Sequence, residues 1–247
     1  MNKTLFLSGF VLFLVLICPC ATAFDVLAVQ YYNEGVTFSR LGQYSEAVNS
    51  FDKAIIVDPN DTYTWYNRGN ALSALYLYPE AVASYDKALA LKPSYVEAWQ
   101  NRGVALSNSA LYEEAIDSYD NATAIDPYDA ETWYNRGIAL GKLGKFSKAV
   151  ESYDQALALN PDYADAWRNR GATLMNFAMF SEAVDSYEKS IVSYCKESVP
   201  DPKNSSVCQN PGTALIHQIL SSPILCVLIG AIILVVGVAV WKRRRPA

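Results

Sequence analysis

The chain has 247 residues, 51% hydrophobic and 18% charged, which is enough apolar material for one or two folded domains and too much for a disordered chain. A formal charge of −5 argues against a nucleic-acid partner, because phosphate binding needs clustered lysine and arginine. One histidine, His217, and five scattered cysteines leave little material for a metal site or an imidazole-based active site, so neither catalysis nor a cofactor is expected.

Residues 1–23 carry Lys3, an apolar run from Leu5 to Cys18, and Ala21-Thr22-Ala23. That order of charge, apolar run and small residues predicts a secretory signal, with Phe24 as the mature N-terminus. An uncleaved membrane anchor is the alternative.

From there the chain repeats. Trp65, Trp99, Trp133 and Trp167 recur every 34 residues, each followed one residue later by Asn-Arg-Gly. With Tyr31 in the tryptophan position, five copies tile 28–61, 62–95, 96–129, 130–163 and 164–197. Gly35, Gly69, Gly103, Gly137 and Gly171 recur, as do Ala47, Ala81, Ala115, Ala149 and Ala183. So do Phe51, Tyr85, Tyr119, Tyr153 and Tyr187, and a proline at 59, 93, 127 and 161. Within one copy, Trp133, Gly137 and Leu140, then Ala149, Tyr153, Ala156 and Leu157, follow helical spacing twice, with a break near Gly144. This predicts a helix pair per copy, in which a glycine and an alanine let the backbones approach and the ring fills the gap. Proline ends the second helix. Tyr76 stands where Gly42 and Gly144 occupy the turn, so it either adopts a left-handed conformation or the turn is rebuilt. In the last copy Ser190 and Cys195 replace the alanine and proline, which marks an atypical end.

The pattern resembles the tetratricopeptide repeat (TPR) family over 170 of the 247 residues. The resemblance implies an all-α, right-handed helix-turn-helix solenoid whose first helices line a concave groove for a peptide or helix of another protein. It places Tyr32, Tyr66, Gln100, Tyr134 and Arg168 in one row of that groove, Glu97, Glu131 and Asp165 in another, and Asn70, Val104 and Ile138 between them. Lysines and arginines that grip a carboxylate in family members are mostly replaced by tyrosines and acids. A neutral or basic ligand segment is therefore favoured. These tyrosines instead pack along the helix surface on the rival reading. Asn33, Asn67, Asn101, Asn135 and Asn169 recur in every copy and are read as scaffold that satisfies local backbone groups.

A second charge pattern bears on how the copies join. Arg68, Arg102, Arg136 and Arg170 share one position, Asp52, Asp86, Asp120 and Asp154 another, and the first copy has Glu34 in place of arginine. Pairing within a copy would set Asp52 against Glu34, whereas pairing with the next copy matches every acid with an arginine. The expectation is inter-repeat pairs Asp52–Arg68, Asp86–Arg102, Asp120–Arg136 and Asp154–Arg170. A merely solvated charged face is the alternative.

Past the repeats, a tether at 198–222 leads to Pro223–Trp241, 19 uncharged residues that suit a transmembrane helix, and then to the basic tail 242–247. The positive-inside bias puts the C-terminus in the cytoplasm and residues 24–222 outside, as a single-pass cell-membrane protein. All 25 acids but only 15 of the 20 bases lie in 24–222, so the outer part carries about −10. Cys195 and Cys208 are expected to pair in that oxidising compartment, with free thiols or an intermolecular bridge as rivals. Asn60, Asn121 and Asn204 head glycosylation triplets. The functional expectation is a membrane-anchored TPR scaffold for protein–protein interaction. A self-associating structural protein of the cell envelope, or a regulatory subunit of a membrane complex, is the alternative.

Overall fold

The computed structural model describes residues 25–198, and every regular element among them is an α-helix. The signal at 1–23, the tether past Ser198, the span 223–241, the tail 242–247, Cys208 and Asn204 lie outside the described residues. No helix among the described residues is long and apolar enough to cross a membrane.

The chain divides into two compact units at Asp126 and Pro127. Unit 1 holds α1 (25–40), α2 (Tyr44–Val57), α3 (Thr62–Ala74), α4 (Tyr78–Leu91), α5 (Val96–Asn108) and α6 (Tyr112–Ile125). Unit 2 holds α7 (Ala130–Lys142), α8 (Phe146–Leu159), α9 (Ala164–Met175) and α10 (Phe180–Ser198). Each copy of the repeat is one helix pair, as its periodicity predicts.

Local chemistry sets the helix ends. Asp61 and Asp129 cap α3 and α7 by accepting backbone N–H groups of Tyr63 and Thr64, and of Glu131 and Thr132. Pro79 sits in the first turn of α4, where its missing N–H is harmless. Position 34n + 42 of every copy is left-handed: Gly42 (φ 74°), Tyr76 (φ 62°), Ala110 (φ 59°), Gly144 (φ 71°) and Ala178 (φ 56°). Tyr76 thus keeps the turn and takes the strain, and Ala110 and Ala178 do the same. Helix α10 runs 19 residues where α8 runs 14, because Cys195 stands where Pro161 would end it.

Between the helices of a pair, the ring of the second lies against the glycine of the first. A Cβ on Gly69 would lie 2.5 Å from the Tyr85 ring, and the same distance separates Gly35 from Phe51, Gly103 from Tyr119 and Gly137 from Tyr153. Gly171 is looser, with Tyr187 ring carbons at 3.2 Å. Phe51, Tyr85, Tyr119 and Tyr153 are all buried, and Ala47, Ala81, Ala115 and Ala149 beside them are fully covered. Ser190 donates to the Ala164 carbonyl at 2.9 Å, tying α10 to the start of α9.

Gly103→Ala should lower the unfolding free energy by about 1–3 kcal/mol, since the buried ring has no room to move. Ala110→Gly should raise it by about 1 kcal/mol by relieving the left-handed alanine. Urea titrations of the two variants check both, and an undisturbed Gly103→Ala protein would refute the seating of the ring.

Candidate functional site

Within each unit, three side chains of the first helices α3, α5 and α9 build the joints between copies. The first is arginine. Arg68 Nε lies 2.6 Å from Asp52 on the preceding copy, Arg102 Nε 2.7 Å from Asp86, and Arg170 Nε 2.6 Å from Asp154. The three expected pairs that fall within a single unit are formed. The other end of each guanidinium donates from Nη1 to a serine of its own copy: Arg68 to Ser84 (2.7 Å), Arg102 to Ser118 (2.6 Å), Arg136 to Ser152 and Arg170 to Ser186 (both 2.7 Å). Those serines are buried, and each donates its own proton to the carbonyl four residues back. The acids are about half exposed, so each ion pair contributes at most about 1 kcal/mol. The buried serine oxygen matters more, because without arginine it has no donor.

Asparagine makes the second joint, and here the reading as a satisfier of local backbone is corrected. Asn67 Nδ2 donates to the Tyr32 hydroxyl, Asn101 to the Tyr66 hydroxyl and Asn169 to the Tyr134 hydroxyl, each at 3.1 Å and each onto the preceding copy. Asn101 also donates to Asn70 Oδ1 at 2.8 Å, and Asn70 in turn accepts from the Tyr85 hydroxyl at 2.8 Å. Tryptophan makes the third. Nε1 of Trp65, Trp99, Trp133 and Trp167 donates to the carbonyl of Pro59, Pro93, Pro127 and Pro161 at 2.8–2.9 Å, clasping the turn that leads into its own helix.

The row residues divide accordingly. In unit 1, Tyr32, Tyr66, Asn70 and Gln100 are half-buried, while Glu97 and Val104 are exposed. Tyr32 leans on Phe51 at 6.1 Å and Tyr66 on Tyr95 at 4.8 Å, so ring faces and hydroxyls of this row serve the scaffold. A hollow of about 460 Å³ opens between α1 and α3, with Asp25, Asp58, Asp61, Tyr32 and Tyr63 in its wall. In unit 2, Tyr134 and Ile138 are half-buried, and Glu131, Asp165 and Arg168 are exposed. Arg168 and Asp165 neutralise each other at 2.7 Å. A groove of about 410 Å³ runs between α7 and α9, lined by Ile138, Lys142, Phe146, Asn169, Thr173 and Asn176 among others.

Burial raises the hydroxyl pKa of Tyr32 and Tyr134 above the ordinary tyrosine value, with the Asp61 and Asp165 carboxylates adding to the shift. Burial pushes Tyr85 and Tyr153 far higher.

Two modification candidates fall in the described region. Asn60 is exposed in the turn after α2. Asn121 lies within α6 with Nδ2 donating to the Asp117 carbonyl at 2.7 Å, and Thr123 of its triplet is buried. Both asparagines are exposed, Asn60 in a turn and Asn121 on a helix. Cys195 is disulfide-bonded, and its sulfur sits in a core cluster with Leu174, Met175, Tyr187 and Ile191.

The sequence held two signals that had no meaning without the fold. Ser50, Ser84, Ser118, Ser152 and Ser186 share a register, and Asp61, Tyr95, Asp129 and Tyr163 alternate at one position.

The tetratricopeptide repeat profile matches residues 28–61 and 130–163, and a TPR repeat profile matches 78–109 and 112–144. The chain is a tetratricopeptide repeat protein. Among solved structures, the crystal structure of MamA protein is similar with a TM-score of 0.67 and 23% identity, over 71% of this chain and 96% of that one. MamA from Desulfovibrio magneticus RS-1 gives a TM-score of 0.66 and 24% identity, over 69% and 97%. YrrB, described as a TPR protein with an unusual peptide-binding site, gives 0.62 and 22%, over 69% and 88%. At these identities the likeness establishes the fold. No curated protein matches the chain in sequence.

Arg102→Ala should cost about 1–3 kcal/mol by stranding the Ser118 oxygen. Asp86→Ala should cost less than about 1 kcal/mol, and thermal or urea unfolding of the two variants ranks them. Alkali supplies a second check. The unfolded chain releases its tyrosine protons near pH 10.0, whereas buried Tyr85 and Tyr153 hold theirs. Stability is thus undiminished below that pH and falls as the pH climbs above it. Tyr85→Phe, the ring already used at Phe51, should flatten that fall in unfolding curves taken between pH 9 and 11.

Proposed function

We propose that this chain is a membrane-anchored, outward-facing TPR scaffold that captures a segment of another protein on the face of its first helices, and that it is a binding module rather than an enzyme. The observation that carries the reading is how the first-helix residues are spent. Within each unit, arginine, asparagine and tryptophan lock neighbouring copies together. Val104 and Glu97 in unit 1, and Glu131 in unit 2, stay exposed with no part in those joints. A rigid face with unspent apolar and acidic side chains binds with little ordering cost. The peptide-binding site described for YrrB is consistent with that use of the fold.

The exposed acids and the charge of about −10 over 24–222 favour a neutral or basic segment. The anchoring rests on the apolar run 223–241 and its basic tail, and the outward orientation on that tail. The Cys195 disulfide is assigned to Cys208, which would pin the tether to the last helix.

A photoreactive side chain at Val104 of the full-length protein should crosslink a discrete partner in intact cells, while the same group at exposed Ile56 on α2 should not. Capture at Ile56 alone, or equally at both, would overturn the assignment of the face. Protease added outside intact cells should remove the repeats, and their protection there would overturn the orientation.

A further inference from the structure

The alternation of Asp61, Tyr95, Asp129 and Tyr163 gives each unit one pair of stacked tyrosines. In unit 1, Tyr95 lies on Tyr66 with ring centroids 4.8 Å apart at 43°. Tyr63 closes edge-on at 5.8 Å, and the chain's own Lys92 ammonium sits 4.8 Å over Tyr95 and 5.7 Å over Tyr63. Under this cover Tyr95 is only 8% exposed.

Unit 2 builds the same pair, Tyr163 on Tyr134, at 4.8 Å and 40°. Its cover is gone. Asn160 occupies the position of Lys92, and Glu131 that of Tyr63. The Asn160 side chain is tied into its own turn, accepting the Asp162 N–H at 3.1 Å. Tyr163 is accordingly half-buried where Tyr95 is buried.

The charge around the open ring is negative. Burial raises the Tyr163 hydroxyl most, followed by Tyr134 and then the carboxylates of Glu131, Asp165 and Asp129. Asp165 is answered by Arg168, and Asp129 caps α7. Glu131 remains as the exposed acid beside the ring. From behind, the pair is backed by Leu157, Ala166, Trp133 and Trp167, so the rings are held before anything binds. A tyrosine face attracts a cation through its quadrupole, and an adjacent carboxylate adds to that attraction.

We propose that the Tyr134–Tyr163 pair with Glu131 is a docking pocket for an arginine or lysine side chain of a bound protein segment, the place that Lys92 fills from within the chain in unit 1. This deepens the binding function proposed above and rests on it for the identity of the ligand as a protein segment.

The test uses the full-length chain in detergent micelles with ¹³C-labelled tyrosine rings, titrated with acetyl-Ala-Ala-Xaa-Ala-Ala-amide peptides in which Xaa is arginine, lysine, glutamine or glutamate. The arginine and lysine probes should shift the Tyr163 and Tyr134 ring signals and bind about tenfold more tightly than the glutamine probe. Tyr163→Phe should keep the response, and Tyr163→Leu and Glu131→Gln should weaken it. Asn160→Lys, which plugs the pocket as Lys92 does in unit 1, should abolish it with the melting temperature unchanged. Equal binding of the glutamine or glutamate probe, or an unaltered response in Asn160→Lys, would overturn the pocket. A silent pocket in a protein that still crosslinks a partner at Val104 sinks this inference alone. A responsive pocket with no partner at Val104 sinks the reading of the face alone.

Discussion

Each helix pair depends on an aromatic ring occupying the space where a side chain would begin. The ring of Phe51, Tyr85, Tyr119 or Tyr153 lies 2.5 Å from the place a Cβ would take on the facing glycine, so the two backbones meet at a distance no other residue permits. That approach brings the second helix within reach of the arginine on the first, which is how a buried serine and an exposed aspartate come to share one guanidinium. It also carries the Tyr85 hydroxyl onto Asn70, and so into the hydrogen bonds that run to the next copy. In the last pair, where Gly171 stands farther from Tyr187, Ser190 on the Ala164 carbonyl ties α10 to α9.

The joints also decide what the proposed binding face has to offer. Tyrosine in the first-helix row looks at first like a recognition residue, an apolar ring with a polar tip. Here the tips of Tyr32, Tyr66 and Tyr134 accept hydrogen bonds from the asparagine of the following copy. A buried or half-buried hydroxyl satisfied in this way has little left for a ligand. On the proposed binding reading, specificity passes to the positions the joints leave alone: Val104, Glu97, Glu131 and the uncovered ring of Tyr163. The two units differ at this last point, since an internal lysine answers the ring pair in one and a carboxylate borders it in the other.

The helix caps show the same division of labour. Asp61 and Asp129 cap their helices with carboxylate oxygens, helped by Thr64 and Thr132, whose hydroxyls donate back to them. Where the cap position is Tyr95 or Tyr163, neither side chain caps its helix, and the ring packs on the first helix of its own copy instead. The threonine is replaced there by Ala98 or Ala166, both fully buried. One helix start is held by a local hydrogen bond and the next by apolar packing, which buries Tyr95 and leaves Tyr163 half-buried.

Much of this was legible in the residues themselves. A strict period of 34 with glycine, alanine, ring and proline in register determines the helix pairs, because each position has one steric role that few residues fill. The inter-repeat ion pairs followed from one exception, Glu34, since electrostatic sign alone told the two pairings apart. The asparagine–tyrosine links and the serine under each arginine were not legible. They join residues 35 and 16 positions apart through geometry that no local spacing encodes. The same holds for the open and closed tyrosine pairs: the alternation is printed in the chain, but whether a lysine reaches a ring depends on how two turns are folded against their neighbours. Short-range sterics and charge sign are properties of sequence, whereas side-chain reach across a packed interface exists only once the helices are in place.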